Sequence, residues 1–174
     1  MRITPIVAGS RPELATLEAQ IVAERGRISP LYQVLLHSPP VAHGWEQMLS
    51  AIRNRNSLPA GLRELIILRV AVLNCAPYEF EAHVPHALAA GVAQATIDAM
   101  RQQPLPAELQ LAAAERAALD YADAMTRAIT VPDPLFARVR EHFEGRALVD
   151  LTATIAAYNM VSRFLEALQI GHRP

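Results

Sequence analysis

Apolar residues recur along this chain at three- and four-residue intervals, the spacing that lines one face of an α-helix. Leu14, Leu17, Ile21 and Val22 follow it, and so do Trp45, Met48, Leu49 and Ile52. The periodic runs lie between prolines and glycines. Ser10-Arg11-Pro12-Glu13 reads as a helix start, with Ser10 as cap, Pro12 in the first turn and Glu13 three residues on; Gly26 ends that helix. Pro30 opens a short helical piece to about Leu36, Pro39-Pro40 breaks it, and the next helix runs from about Val41 to Arg53. Leu58-Pro59 begins a helix reaching about Asn74, and Pro77 begins another that Gly91 closes. A short helix over 93–101 follows, then helices over 108–128, 134–143 and 148–170, with Gly145 and Gly171 as the stops of the last two. No segment alternates apolar and polar residues as a half-buried strand does, and no hairpin signal, short-period repeat or low-complexity tract is present.

The helix that begins at Pro59 is unlike the others. Leu62, Leu65, Ile66, Ile67, Leu68, Val70, Ala71, Val72 and Leu73 leave it almost no polar face, which is the signature of a central helix. Its β-branched residues also fit a buried strand over Leu65 to Leu73, but the absence of alternation elsewhere argues against one. The pattern predicts an all-α fold: about eight helices in one bundle-like domain spanning 1–174, organised around a two-helix hairpin at about 59–91.

Composition narrows the classes. Hydrophobic residues make up 52% and charged residues 19% of the 174 residues, more apolar than a monomer of this size needs. This predicts a homo-oligomer. The net charge is -1 with the two signs interspersed, so no basic stripe marks a nucleic-acid or membrane surface. All 16 basic residues are arginines, which removes Schiff-base chemistry on lysine and fits a GC-rich genome. Cys75 is the single cysteine, so neither an internal disulfide nor a cysteine metal cluster can form; in this apolar setting it is expected to be a small buried residue. The first residues do not read as a signal peptide, and no apolar run is long enough to span a membrane. The expectation is a bacterial cytoplasmic protein.

Candidate chemistry concentrates from Glu64 to His86. Ionisable groups sit there beside the most apolar helix, and a buried ionisable group needs a partner. Glu79 and His83 are four residues apart and share a helix face; His86 lies three further on, and Glu64 can reach the same place across a hairpin. A carboxylate beside an imidazole fixes its tautomer and favours its protonated form, which makes a general-base unit near neutral pH. Pro85 removes a backbone hydrogen bond between the two histidines and permits a bend. Tyr78, Arg69, Asn159 and Arg163 are candidate substrate contacts, the arginines as clamps for a carboxylate, with paired structural charges as the alternative. Glu79, His83 and His86 also have a tolerable spacing for a metal, joined in principle by His37 and His43, but no second-shell carboxylate supports it; no metal and no cofactor is expected.

At these residues the chain resembles the carboxymuconolactone decarboxylase and alkylhydroperoxidase-D (AhpD-like) superfamily. The redox members of that superfamily carry a glutamate, a Cys-x-x-Cys pair and a histidine in a two-helix hairpin. Here Glu64 falls on the glutamate and His83 on the histidine, while Ala76 and Glu79 stand at the cysteine positions. Ala76-Pro77-Tyr78-Glu79-Phe80 and, more weakly, Ala157-Tyr158-Asn159-Met160-Val161-Ser162-Arg163-Phe164-Leu165 resemble the decarboxylase-type branch, and the likeness extends from about Ser38 onward. The resemblance implies an AhpD-like helical bundle, a dimer, trimer or hexamer, and His83, Glu79 and Glu64 as catalytic residues.

A thiol peroxidase needs an attacking thiolate and a second, resolving thiol. Cys75 lies one residue before the first cysteine position and has no companion, so the expected function is a cofactor-independent acid-base lyase or decarboxylase acting on a small carboxylated lactone or related acid. The alternatives are a peroxidase using Cys75 and a non-catalytic oligomeric protein that binds a small ligand.

Overall fold

The computed structural model describes residues 1–172. Among them are a 3₁₀ turn over Pro12–Leu14 and nine α-helices, with no strand: α1 Ala15–Arg25, α2 Pro30–Leu35, α3 Pro39–Asn54, α4 Ala60–Leu73, α5 Pro77–Ala89, α6 Gln94–Ala99, α7 Ala113–Ala128, α8 Asp133–Arg140 and α9 Gly145–Leu168. The all-α reading holds, with one helix more than the approximate count expected. The chain divides into two compact units, one formed by Met1–Arg55 with the residues from Leu165 onward, the other by Asn56–Phe164.

In the first unit α3 packs on α1 and α2. Leu14, Ile21, Tyr32, Val34, Leu35, Trp45 and Leu49 are buried there. A polar knot is buried with them. Glu46 accepts from Arg25 Nε at 3.0 Å and from the hydroxyls of Tyr32 and Ser50. A buried carboxylate is tolerated only with such a full set of donors.

The second unit is built on α4, which packs against α5 and α7. Leu62, Leu65, Ile66, Ile67, Leu68, Val70 and Ala71 of α4 are all buried, as the nearly all-apolar pattern requires. Leu65, Leu68, Phe80, Ile97, Met100 and Leu119 form one cluster there, each large side chain contributing about 2 kcal/mol relative to an exposed position. The turn between α4 and α5 is tight. The Cys75 and Ala76 N–H groups bond back to Val72 and Ala71 carbonyls at 3.1 and 2.8 Å, with Cys75 in the left-handed region at φ 54°. Gly91 closes α5 in the same way, at φ 84°. α5 runs continuously through Pro85.

Several helix boundaries differ from the pattern, each for a local reason. Ser10 does not cap: its hydroxyl turns back to the Val7 carbonyl at 2.6 Å, and a 3₁₀ turn precedes α1. Pro39-Pro40 opens α3 instead of breaking the chain, since proline suits the first turn. α7 begins at Ala113, where Glu115 accepts the Ala112 N–H at 2.9 Å, so 108–112 lie outside the helix. Gly145 starts α9 and does not end α8; α9 stops at Leu168, with Gln169 left-handed at φ 52°. Cys75 is exposed, not buried, because the left-handed turn carries its side chain outward.

Candidate functional site

The tight α4–α5 turn folds the two helices into a hairpin and brings Glu64 against His83. Both are buried, with Glu64 2% and His83 8% exposed. Glu64 Oε2 lies 2.7 Å from His83 Nδ1, a charge-assisted hydrogen bond that fixes the ring. Arg63 stands on the other carboxylate oxygen, its Nε 3.6 Å from Glu64 Oε1. One helical turn before His83 on α5, the buried Glu79 carboxylate accepts a hydrogen bond from the Ser162 hydroxyl of α9. Tyr158, one turn before Ser162 on α9, sets its ring edge-on to His83, with centroids 5.2 Å apart and planes at 88°. His86 is exposed, and its ring lies 5.7 Å from that of His83.

The sequence-predicted residues therefore separate into two groups. Glu64, Glu79, His83 and His86 gather at one place, and Tyr78 lies half-buried in the first turn of α5. Arg69, Asn159 and Arg163 are engaged elsewhere. Arg69 is fully buried and holds Asp123 with two bonds of 2.6 Å, and its Nη1 donates to the Met100 and Gln102 carbonyls at 3.2 and 2.7 Å. This is a structural charge pair, not a clamp for substrate. Asn159 ties three helices together. Its amide nitrogen donates to Thr126 at 2.9 Å, and its oxygen accepts from Asn74 at 3.0 Å and from Arg163 at 2.6 Å. Arg163 itself is exposed.

Three residues of the cluster lay outside the sequence-based set: Arg63, Tyr158 and Ser162. Tyr158 and Ser162 belong to the C-terminal motif and sit four residues apart, which was the available signal; nothing local shows which helix that face meets. Among the described residues no group of three or more His, Cys, Asp or Glu side chains is arranged to hold a metal ion, and His37 and His43 are both exposed. A cavity of about 260 Å³ opens in the same unit between Gly61, Leu65, Val92, Thr96, Gln110 and Glu115, and none of the His83 cluster lines it. No helix among the described residues is long and apolar enough to cross a membrane.

The geometry can do proton transfer: a buried imidazole with one nitrogen held by a carboxylate, a second buried carboxylate one turn away and a guanidinium at its edge. Ala76 and Glu79 stand at the two ends of the first turn of α5, and the exposed Cys75 precedes them in the α4–α5 turn.

The model of the carboxymuconolactone decarboxylase family matches residues 39–124. The uncharacterized protein YnjA of Escherichia coli is 41% identical over 71 residues, 40% of this chain and 36% of that protein, so the match spans about a third of the relative's length. Three solved structures share the fold. An alkylhydroperoxidase AhpD core, a peroxidase-related protein from Ralstonia eutropha, has TM-score 0.81 and 22% identity, covering 99% of this chain and 91% of that one. A peroxidase-related protein from Silicibacter has TM-score 0.80 and 19% identity, with coverages of 95% and 87%. The debrominase Bmp8 in complex with 2,3,4-tribromopyrrole has TM-score 0.80 and 18% identity, with coverages of 99% and 92%. At these identities the structural likeness carries the fold alone.

Proposed function

From the match of residues 39–124 to the carboxymuconolactone decarboxylase family and the fold shared with an AhpD core, we propose that the chain is a member of that superfamily and an acid-base lyase acting on a small carboxylated lactone or related acid. The observation that carries this reading is the buried 2.7 Å contact between Glu64 and His83 in a hairpin without the redox cysteine pair. With Nδ1 committed to Glu64, exchange of a proton with the substrate falls to Nε2. When the C–CO₂⁻ bond breaks, its electron pair remains on a carbon conjugated with the lactone carbonyl. His83 delivers a proton to that carbon, CO₂ leaves, and the imidazole recovers its proton from water. The Glu64 carboxylate stabilises the imidazolium that donates. Arg63, at the edge of the pair, supplies the cation that faces the substrate carboxylate, the role that Arg69 cannot fill.

The test is CO₂ release from a panel of small carboxylated lactones. His83→Ala is expected to lower kcat by about 10²-fold or more, the usual worth of a general acid-base group. Arg63→Gln is expected to raise KM more than it lowers kcat, since the guanidinium holds the substrate carboxylate while it is charged and loses that hold as neutral CO₂ forms. Full turnover by His83→Ala on a substrate that the wild type processes would refute the assignment.

A further inference from the structure

The second carboxylate of the cluster, Glu79, is 2% exposed, and its hydrogen-bond donor Ser162 is fully buried on α9, 83 residues further along the chain. α9 thereby presents two side chains to the hairpin at once, Tyr158 to His83 and Ser162 to Glu79. His83 lies one helical turn after Glu79 on α5, so the two side chains are neighbours. Glu64 from α4, with Arg63 on its far oxygen, His86 from α5 and Tyr158 from α9 lie against His83, and Glu79 shares its face of α5. Glu64 holds one ring nitrogen directly. An ionised carboxylate one helical turn away favours positive charge on the ring, and a neutral one does not.

We propose that Ser162 is a positioning residue: by donating its hydroxyl to Glu79 it keeps that buried carboxylate ionised and in place, and thereby sets the proton affinity of His83. The physical reason is that a hydrogen bond to the charged form of a carboxylate favours that form, while burial disfavours it. Without the hydroxyl the balance at Glu79 moves toward the neutral acid. A neutral Glu79 no longer supports positive charge on the imidazole one turn away, and His83 gives up its proton at lower pH. α9 is in this way part of the proton-transfer unit and not only a wall beside it. The inference rests on the reading of His83 as the proton-transfer group, but it requires no knowledge of the substrate.

The experiment is an NMR titration of the His83 ring in the full-length protein. Ser162→Ala is expected to lower the His83 midpoint by about half a pH unit or more, and Ser162→Thr, which keeps a hydroxyl, to restore it. In a Glu79→Gln background, where no charge remains to be held, Ser162→Ala is expected to cause no further change. An unmoved or raised midpoint in Ser162→Ala, or an equal shift in the Glu79→Gln background, overturns the proposal. Ser162→Thr folds around the same hydroxyl and carries the comparison if Ser162→Ala loses structure: a Thr variant whose Glu79→Gln double mutant shows the same His83 midpoint as the Thr single mutant also overturns it. The same titration on Glu64→Gln separates the two readings, since an unmoved midpoint there refutes the Glu64–His83 pair and leaves the Ser162 result to stand alone.

Discussion

Glu64 and His83, 19 residues apart in the chain, meet as a buried carboxylate-imidazole pair 2.7 Å long. Their meeting depends on the α4–α5 turn, where a left-handed Cys75 lets the chain reverse within three residues. The pair holds the ring by Nδ1, and the proposed reaction assigns the exchanged proton to Nε2. Glu64→Gln keeps the shape and removes the charge. It is expected to lower kcat for CO₂ release by about tenfold or more, through loss of the anion that stabilises the donating imidazolium, with KM little changed. Unaltered kcat would show that the pair is structural.

Cys75 is exposed, and its backbone occupies a conformation that glycine adopts at far lower cost. A thiol reagent such as DTNB is expected to titrate one thiol per chain in the native protein, without denaturant. Cys75→Gly is expected to raise stability by about 0.5–1 kcal/mol in urea unfolding, the strain relieved less the entropy that glycine adds to the unfolded chain. Cys75→Ser is expected to leave CO₂ release unchanged. A peroxide-consuming activity that Cys75→Ser abolishes would favour a thiol route over the acid-base one.

Arg69 is fully buried and shares two 2.6 Å bonds with Asp123. Removing one partner of such a pair leaves the other charge buried and uncompensated. Asp123→Ala is therefore expected to cost about 3–5 kcal/mol in chemical denaturation. Replacing both residues with apolar ones of similar size is expected to recover much of that loss. A cost below about 1 kcal/mol for Asp123→Ala would mean that solvent reaches the guanidinium in the folded protein.

Tyr32 has its hydroxyl proton held well above the usual phenol range, chiefly by burial and then by the hydrogen bond it donates to Glu46, with Arg25 opposing. Its folded-state value is raised, so its stabilising contribution is complete below the unfolded value of about 10 and is lost as pH rises toward the folded one. A spectroscopic titration of phenolate absorbance is expected to show Tyr32 ionising only with alkaline unfolding. In Tyr32→Phe that late step disappears, and the alkaline loss of stability becomes shallower. Ionisation of Tyr32 near pH 10 in the folded protein would contradict the buried knot with Glu46.

The sequence by itself determined the helices and the pair at the centre of the candidate site. Apolar spacing, prolines and glycines act locally, so the central α4, the α5 that Gly91 closes and the absence of strands were all legible. The pairing of Glu64 with His83 was legible too, because a hairpin of two adjacent helices has few registers and the spacing of these residues resembles a known motif. Local competition was harder to read. The Ser10 hydroxyl had a nearer carbonyl than the helix it was expected to cap, and the left-handed turn at Cys75 overrode the cysteine's apolar character. Only the tertiary structure decided which arginine serves which end. Arg63 and Arg69 are six residues apart, about 1.7 turns, so they leave α4 in different directions. The packing of α7 gave Arg69 its partner Asp123, while Arg63 stays beside its chain neighbour Glu64, which the fold of α5 brings to His83. Tyr158 and Ser162 came to the site in the same way. A face of α9 acquires a role only when another helix is laid against it, and that is set by the burial of the whole core and not by any spacing along the chain.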